Sequence, residues 1–299
     1  MFYRSDGEYL SVLVPFVTEG LAAGHPVAVA VPEPNLALLR GALGAAADDV
    51  TMIDMEDAGR NPGRIIADVL LRFADRHRDR HVRIIGEPIW PGRTATEYPA
   101  CAQHEALINP AFAGRDVTIV CPYDVVRLDP EVVADARATH PVLWETDRRY
   151  RSDQYDPDHV VARYNRPLDG APETTAVIVA TAAELPGIRR FATHHARNAG
   201  VPASRVADVE LIVTELVTNS LDHTDGPCWV RIWSDHNHLT CEVRDTGHLT
   251  DPLAGRRPAP REQWSGRGLL LVNSLADLVR THTTAAGTTI RALLNLHRR

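Results

Sequence analysis

Four short apolar runs, Val27–Val31, Val50–Ile53, Val82–Ile85 and Val117–Cys121, punctuate the first half of the chain. Amphipathic stretches of helical period lie between and beside them, over Tyr9–Ala23, Pro34–Gly44, Pro62–His77 and Ala100–Ala113. Runs without polar alternation suit strands covered on both faces, and the intervening helices supply the cover. The alternation predicts an α/β domain around a parallel or mixed sheet.

That rhythm stops at Tyr150–Pro172, a polar segment rich in Arg, Asp and Pro, which reads as a linker with a short helix at His159–Tyr164. Beyond it the order changes. A strand is expected at Thr175–Ala180 and a helix at Ala183–Ala199, stopped by Gly200. Ser204 is the expected N-cap of a long helix over Arg205–Asp222. Strands follow at Trp229–Ser234 and Leu239–Arg244, then a Gly/Pro/Arg-rich loop over Thr246–Ser265. A helix over Gly268–Leu278 and a strand over Thr288–Leu296 complete an α+β layer. Loops of that length inside a compact domain tend to be lids or binding loops. The 299 residues thus divide into domains at 1–148 and 174–299 with a linker at 149–173.

Composition narrows the function. All 32 basic residues are arginine, which excludes a lysine Schiff base and a P-loop lysine. Residues 1–150 carry a balance of −7 and residues 151–299 a balance of zero. Neither half has the basic excess of a nucleic-acid or anionic-membrane binder. No run of 18 apolar residues occurs, the N-terminal residues lack a signal-peptide pattern, and the four cysteines are scattered. A cytoplasmic protein is expected.

Glu215, Asn219 and His223 recur at four-residue steps along the long helix, on one stripe of its surface. Three polar residues at that spacing can be no more than a solvated face. Other features change that reading. Asp245 ends a strand with Gly247 two residues on, where a carboxylate can accept from a purine amino group. Gly266 and Gly268 open a helix, exposing backbone N–H groups and the positive end of its dipole to an anion. Thr288 begins the last strand beside Gly287.

In this order the four segments resemble the boxes of the GHKL, or Bergerat-fold, ATP-binding domain over about 125 residues. The resemblance implies a two-layer α/β sandwich that binds ATP and Mg²⁺. It implies Asn219 as the magnesium ligand, Asp245 as acceptor of the adenine amino group and Thr288 as its support. Gly247, Gly266 and Gly268 would make the lid and phosphate contacts, His223 would line the cofactor site, and Glu215 would be the catalytic base. Arg256, Arg257 and Arg261 lie in the lid, where they either neutralise phosphate or keep the loop soluble. His194 and His195 precede Glu215 too closely to be the phosphoacceptor of a histidine kinase, and read as surface or packing residues. The compact domain is similar to the anti-sigma-factor serine/threonine kinases. That likeness implies a transcription regulator whose partners are a STAS-type anti-sigma-factor antagonist or a sigma factor, with a homodimer as a compatible state. The rival reading is a non-catalytic ATP-binding switch that sequesters a partner.

Six strings in the first half resemble the MEDS sensory domain, which is related to RecA-like three-layer ATPase cores. They are Phe2-Tyr-Arg-Ser-Asp6, Gly20-Leu-Ala-Ala-Gly24, Gly59-Arg-Asn-Pro62, Gly86-Glu-Pro-Ile-Trp90, His104-Glu-Ala-Leu-Ile-Asn109 and Cys121-Pro-Tyr-Asp124. The resemblance implies a sensory or scaffolding role, with a small-molecule ligand for this half as a compatible partner. Without a Gly-x4-Gly-Lys motif, ATP hydrolysis here is not expected. Glu87 and Asp124, at strand ends, and His104 and Glu105 are the candidate sensory-pocket residues. Cys101, His104, Glu105 and Cys121 mix metal-ligand types, but their spacing matches no strong zinc pattern. Metal binding, a polar network and plain structure all stay open for them.

Overall fold

The protein is described by a computed structural model covering residues 1–145, 147–168, 170–172, 176–258 and 266–297. It separates into two compact units, Met1–Tyr164 and Asn165–Arg299. The mixed α/β class expected from the sequence is the one observed, parallel in the first unit and antiparallel in the second.

The first unit opens with β1 (Phe2–Tyr3), α1 (Asp6–Ala22), β2 (Val27–Val31), α2 (Glu33–Leu43), β3 (Thr51–Asp54) and α3 (Met55–Ala58). A continuous helical path follows, from α4 (Pro62–Arg64) through a π-helical stretch at Ile65–Leu71 into α5 (Arg72–Ala74). Then come β4 (Val82–Gly86), α6 (Tyr98–Ala111), β5 (Val117–Val120), β6 (Tyr123–Asp124) and α7 (Pro130–Thr139). A hairpin of β7 (Val142–Glu145) and β8 (Arg148–Arg151) precedes α8 (Pro157–Arg163).

The four apolar runs form a parallel sheet in the order β3-β2-β4-β5. Strand β2 is buried at every residue, as its unbroken Val-Ala-Val-Ala-Val run requires. The chain leaves β2 toward β3 on one side and returns at β4 on the other. The strand order therefore reverses at the C-terminal ends of β2 and β4, the place where open α/β sheets bind ligands. Glu87 stands there, its N–H donating to Ala30 O at 2.9 Å. Helices α1 and α2 pack Leu13, Phe16, Leu36 and Leu39 on Val27, Val29 and Val31 of β2. Ser5 caps α1, its hydroxyl accepting from Glu8 N at 3.2 Å.

The linker expected over 149–173 is corrected here: its first part belongs to the first unit, which runs to Tyr164. Strand β8 pairs with β7, and α8 packs on α6 and α7. Val160 and Tyr164 are buried, and Asp135 accepts from Tyr98 at 2.7 Å, from Arg163 at 2.9 Å and from Tyr164. The short helix expected at His159–Tyr164 is observed at Pro157–Arg163, but the polar composition around it concealed that it docks on the first unit.

The second unit holds β9 (Val177–Val179), α9 (Leu185–Asn198), α10 (Val206–His223), β10 (Cys228–Ser234), β11 (His238–Asp245), α11 (Gly268–Leu275), β12 (Leu278–Thr284) and β13 (Gly287–Asn295). Its antiparallel sheet runs β12-β13-β11-β10-β9. Helix α10 packs between α9 and α11 and lies on β10 and β11. Val209, Ile212, Val213, Leu216 and Val217 are buried with Val230, Cys241, Val243 and Ala292 of the sheet. Thr175, expected to begin β9, lies outside the described residues.

Two local expectations change. Ser204 caps nothing: it sits in a 3-10 turn, Ala203–Arg205, and α10 starts after Arg205 without a side-chain cap. The last helix ends at Leu275, because Ala276 turns extended and Leu278 begins β12, a strand the sequence reading missed. Asp277, between them, accepts from Arg205 Nη1 at 2.6 Å and from Asn295 N at 2.8 Å. Asn165, the unit's first residue, is bound both ways to β12. Its Nδ2 donates to Thr283 O at 2.8 Å, and Thr283 N donates to its Oδ1 at 2.9 Å.

Candidate functional site

The period of α10 puts Asn219 and Ser220 at the wall of a cavity of about 790 Å³. Asp245, Gly247, Thr288 and Leu216 also line it. That volume lies within the roughly 300–1,000 Å³ of small-molecule sites. A second cavity of about 760 Å³ adjoins it, lined by Glu215, Asp222, Gly268 and Ser274. Asn219, His223, Pro258 and Gly266 line both, so the predicted residues of all four boxes surround one continuous recess. Glu215 and Asn219 are half-buried, and His223 is exposed at the end of α10.

The carboxylate of Asp245 is held by both oxygens. Ser220 Oγ donates to Oδ2 at 2.6 Å, and Gly247 N donates to Oδ1 at 2.9 Å. Each oxygen keeps a further lone pair for a ligand. Thr288 Oγ1 donates to Gly247 O at 2.8 Å and lies 2.8 Å from Thr283 Oγ1, which accepts from Leu249 N at 2.9 Å. Thr288 thus fixes the backbone turn beside Asp245. Ser220 and Thr283 carry these contacts and were missed from sequence. Ser220 only adjoins Asn219, and Thr283 lies on the strand that went unread.

Two glycines lie where a Cβ would crowd a neighbour. A Cβ on Gly247 would come within 2.6 Å of Thr224 Cγ2, and one on Gly268 within 2.7 Å of Glu215 Oε2. The start of α11 therefore comes close to the Glu215 carboxylate, with unpaired helical N–H groups at the same end. The loop after Asp245 is fastened by Asn273 Nδ2, which donates to Gly255 O at 2.9 Å. Of the lid arginines, Arg257 is exposed and paired with Asp251 at 3.0 Å, Arg256 is half-buried, and Arg261 lies outside the described residues. His194 contacts Asn198 at 2.9 Å, the ring of His195 meets Phe191, and neither lines the two cavities.

An acceptor carboxylate, a side-chain amide oxygen suited to a hard cation, a helix N-terminus and a carboxylate base form a set that fits a magnesium nucleotide.

In the first unit, Glu87, His104, Glu105 and Asp124 are all buried. Glu87 accepts from Asn35 Nδ2 at 2.8 Å and from the hydroxyls of Tyr3 and Tyr9 at 3.3 Å each. Burial pushes its carboxyl up to about 8 against these three hydrogen bonds, with Asp124 adding to the rise. Asp124 closes a turn by accepting from Val126 N and Arg127 N. Burial pushes Glu105 upward too, but His140 at 3.0 Å and the nearby His104 hold it below the ordinary carboxylate value. His140 was not among the predicted residues, because no local spacing connects it to Glu105. Cys101 is buried and stands outside the cluster that Glu105 forms with Cys121 and His140.

The second unit is an antiparallel sheet layered by three helices, with this recess between α10, β11 and α11, and it follows a parallel α/β unit. Family comparison agrees with that order: a MEDS domain (methanogen/methylotroph, DcmR sensory domain) spans residues 1–141 and a histidine kinase-like ATPase domain spans 178–294. No curated protein matches the chain. The pairing supports a regulatory kinase-like ATPase with a sensory domain, and the second domain implies ATP binding and ATP-dependent phosphotransfer in general. No helix among the described residues is long and apolar enough to cross a membrane.

Proposed function

We propose that this protein is an anti-sigma-factor-type serine/threonine kinase that phosphorylates a STAS-type antagonist, under the control of its sensory unit. The observation that carries the reading is the position of Glu215: one helical turn before Asn219, lining the recess and facing Gly268 at the start of α11.

Bound Mg-ATP supplies the phosphoryl group and the metal charge that offsets it. Asn219 offers its oxygen to the metal, and Asp245 receives the adenine amino group. The N–H groups opening α11 face the phosphates, the electrostatic role that lysine fills in P-loop enzymes. Glu215 takes the proton of the attacking serine or threonine hydroxyl, with the acceptor admitted beside α11.

The test is transfer of label. The full chain is incubated with γ-labelled Mg-ATP and the STAS-type antagonists of the same cell. Label on a serine or threonine of one antagonist, lost in Glu215→Ala, supports the kinase. Nucleotide-dependent capture of the antagonist with no transfer at any time makes the protein the sequestering switch instead.

A further inference from the structure

We propose that Glu105, Cys121 and His140 in the first unit form a binding site for a borderline divalent cation, with zinc the best match. The three come from separate elements. Glu105 lies on α6, Cys121 directly follows β5, and His140 ends α7. One potential ligand atom from each lies within 4.8 Å of the other two. Glu105 and Cys121 are 2% and 4% exposed, and His140 is half-buried.

Two further observations point to a cation. First, the Glu105 carboxylate is buried and lacks a well-aligned hydrogen bond among the described residues, its close polar neighbours being His140, with Nε2 3.0 Å from Oε2, Tyr123 and the buried N-terminal ammonium of Met1. A buried carboxylate so incompletely satisfied is costly unless further positive charge faces it. Second, His140 Nδ1 lies 2.8 Å from Ala136 O. A carbonyl only accepts, so Nδ1 carries the proton and directs the other nitrogen, Nε2, toward Glu105. Ligating histidines are oriented by this kind of outer contact. The edge of the Tyr123–His140 ring pair, at 5.6 Å between centroids, fixes the imidazole further.

Thiolate, imidazole and carboxylate together select zinc or cobalt over magnesium or calcium. Bond lengths of about 2.0–2.3 Å to a tetrahedral zinc require only a modest inward rotation of these side chains. Three protein ligands leave a fourth position, as in zinc sites that bind a small donor molecule. The site lies in the unit that carries the sensory domain and shares no residue with the nucleotide recess.

The experiment uses the full chain, freed of any histidine tag and stripped with a chelator. It is titrated with Zn²⁺ against a chromogenic competitor, and separately with Co²⁺. One equivalent of zinc per chain is expected, together with a cobalt–thiolate charge-transfer band in the near ultraviolet. Cys121→Ser should abolish the band, and His140→Gln should weaken zinc binding by roughly 100-fold or more, beyond the 10–100-fold of outer-contact changes. Cys101→Ser should leave both unchanged. A wild-type chain that shows no cobalt–thiolate band overturns the proposal, whatever the variants do. So does zinc binding that Cys121→Ser and His140→Gln leave intact.

Discussion

Ser220 Oγ donates to Asp245 Oδ2 at 2.6 Å, joining the middle of the functional helix to the end of strand β11. The bond fixes the carboxylate's rotation, so that the oxygens present their remaining lone pairs to the recess. Asp245→Asn replaces one acceptor oxygen with a donor NH₂, which can serve neither Ser220 nor an adenine amino group in the same way. A hydrogen bond to a charged group contributes about 1.5–3 kcal/mol, so ATP affinity is expected to fall by roughly 10–100-fold. Magnesium pyrophosphate, which lacks the base, should lose little. Calorimetric titration of both ligands checks this, and an equal loss for both would remove Asp245 from adenine recognition.

Glu215→Ala is expected to lower phosphoryl transfer by about 10²–10⁴-fold while nucleotide affinity stays near its original value. Gly268→Ala probes the same group from the other side. Its Cβ would come within 2.7 Å of Glu215 Oε2, so the carboxylate must swing away. Misplacement by about an ångström can reduce a rate by about 10²-fold. Single-turnover kinetics on both variants should show transfer falling in each, and a Gly268→Ala enzyme of normal rate would place the base elsewhere.

Glu87 gives the first unit a pH dependence of defined sign. Its folded carboxyl is pushed up to about 8 from an ordinary 4.5, by burial first, among Tyr3, Tyr9, Asn35 and Asp124. Between those values the unfolded chain releases the proton while the folded chain keeps it. Stability therefore falls as pH rises through that window, by at most about 1.4 kcal/mol per unit. Thermal midpoints of wild type and Glu87→Gln between pH 5 and 8 check this. Wild type should lose ground to the variant steadily, and parallel curves would show that Glu87 titrates normally.

The Arg205–Asp277 pair tests the packing of the second unit. Their side chains meet at 2.6 Å and are 11% and 3% exposed. Asp277→Ala removes the buried carboxylate at Nη1, leaving the guanidinium with Leu275 O and the more exposed Asp208, and should cost roughly 3 kcal/mol in denaturant unfolding. Replacing both residues by apolar ones should recover much of that loss. A single variant within about 0.5 kcal/mol of wild type, the range of an ordinary surface change, would show the pair to be dispensable.

What the sequence disclosed was local. Glu215 and Asn219 share a helix turn, Gly266 and Gly268 flank a helix start, and β2 is a run of five apolar residues. What it withheld was cross-chain. Ser220 meets Asp245 across 25 residues, Thr283 meets Leu249 across 34, and His140 reaches Glu105 from the far end of another helix. No periodicity encodes such pairs, because they are made when separate elements dock. The docking of α8 was hidden for a related reason: its anchor is a carboxylate, Asp135, satisfied by two tyrosines and an arginine rather than by an apolar stripe.

The paired bonds of Asn165 to Thr283 have a mechanical consequence. Thr283 also holds Leu249 N and meets Thr288, and Thr288 holds Gly247. The point where the chain enters the second unit and the turn beside Asp245 therefore hang from the same strand pair, through short directional bonds. Tension on residue 165 is delivered to the Asp245 end of the recess as by a crank, with little slack to absorb it.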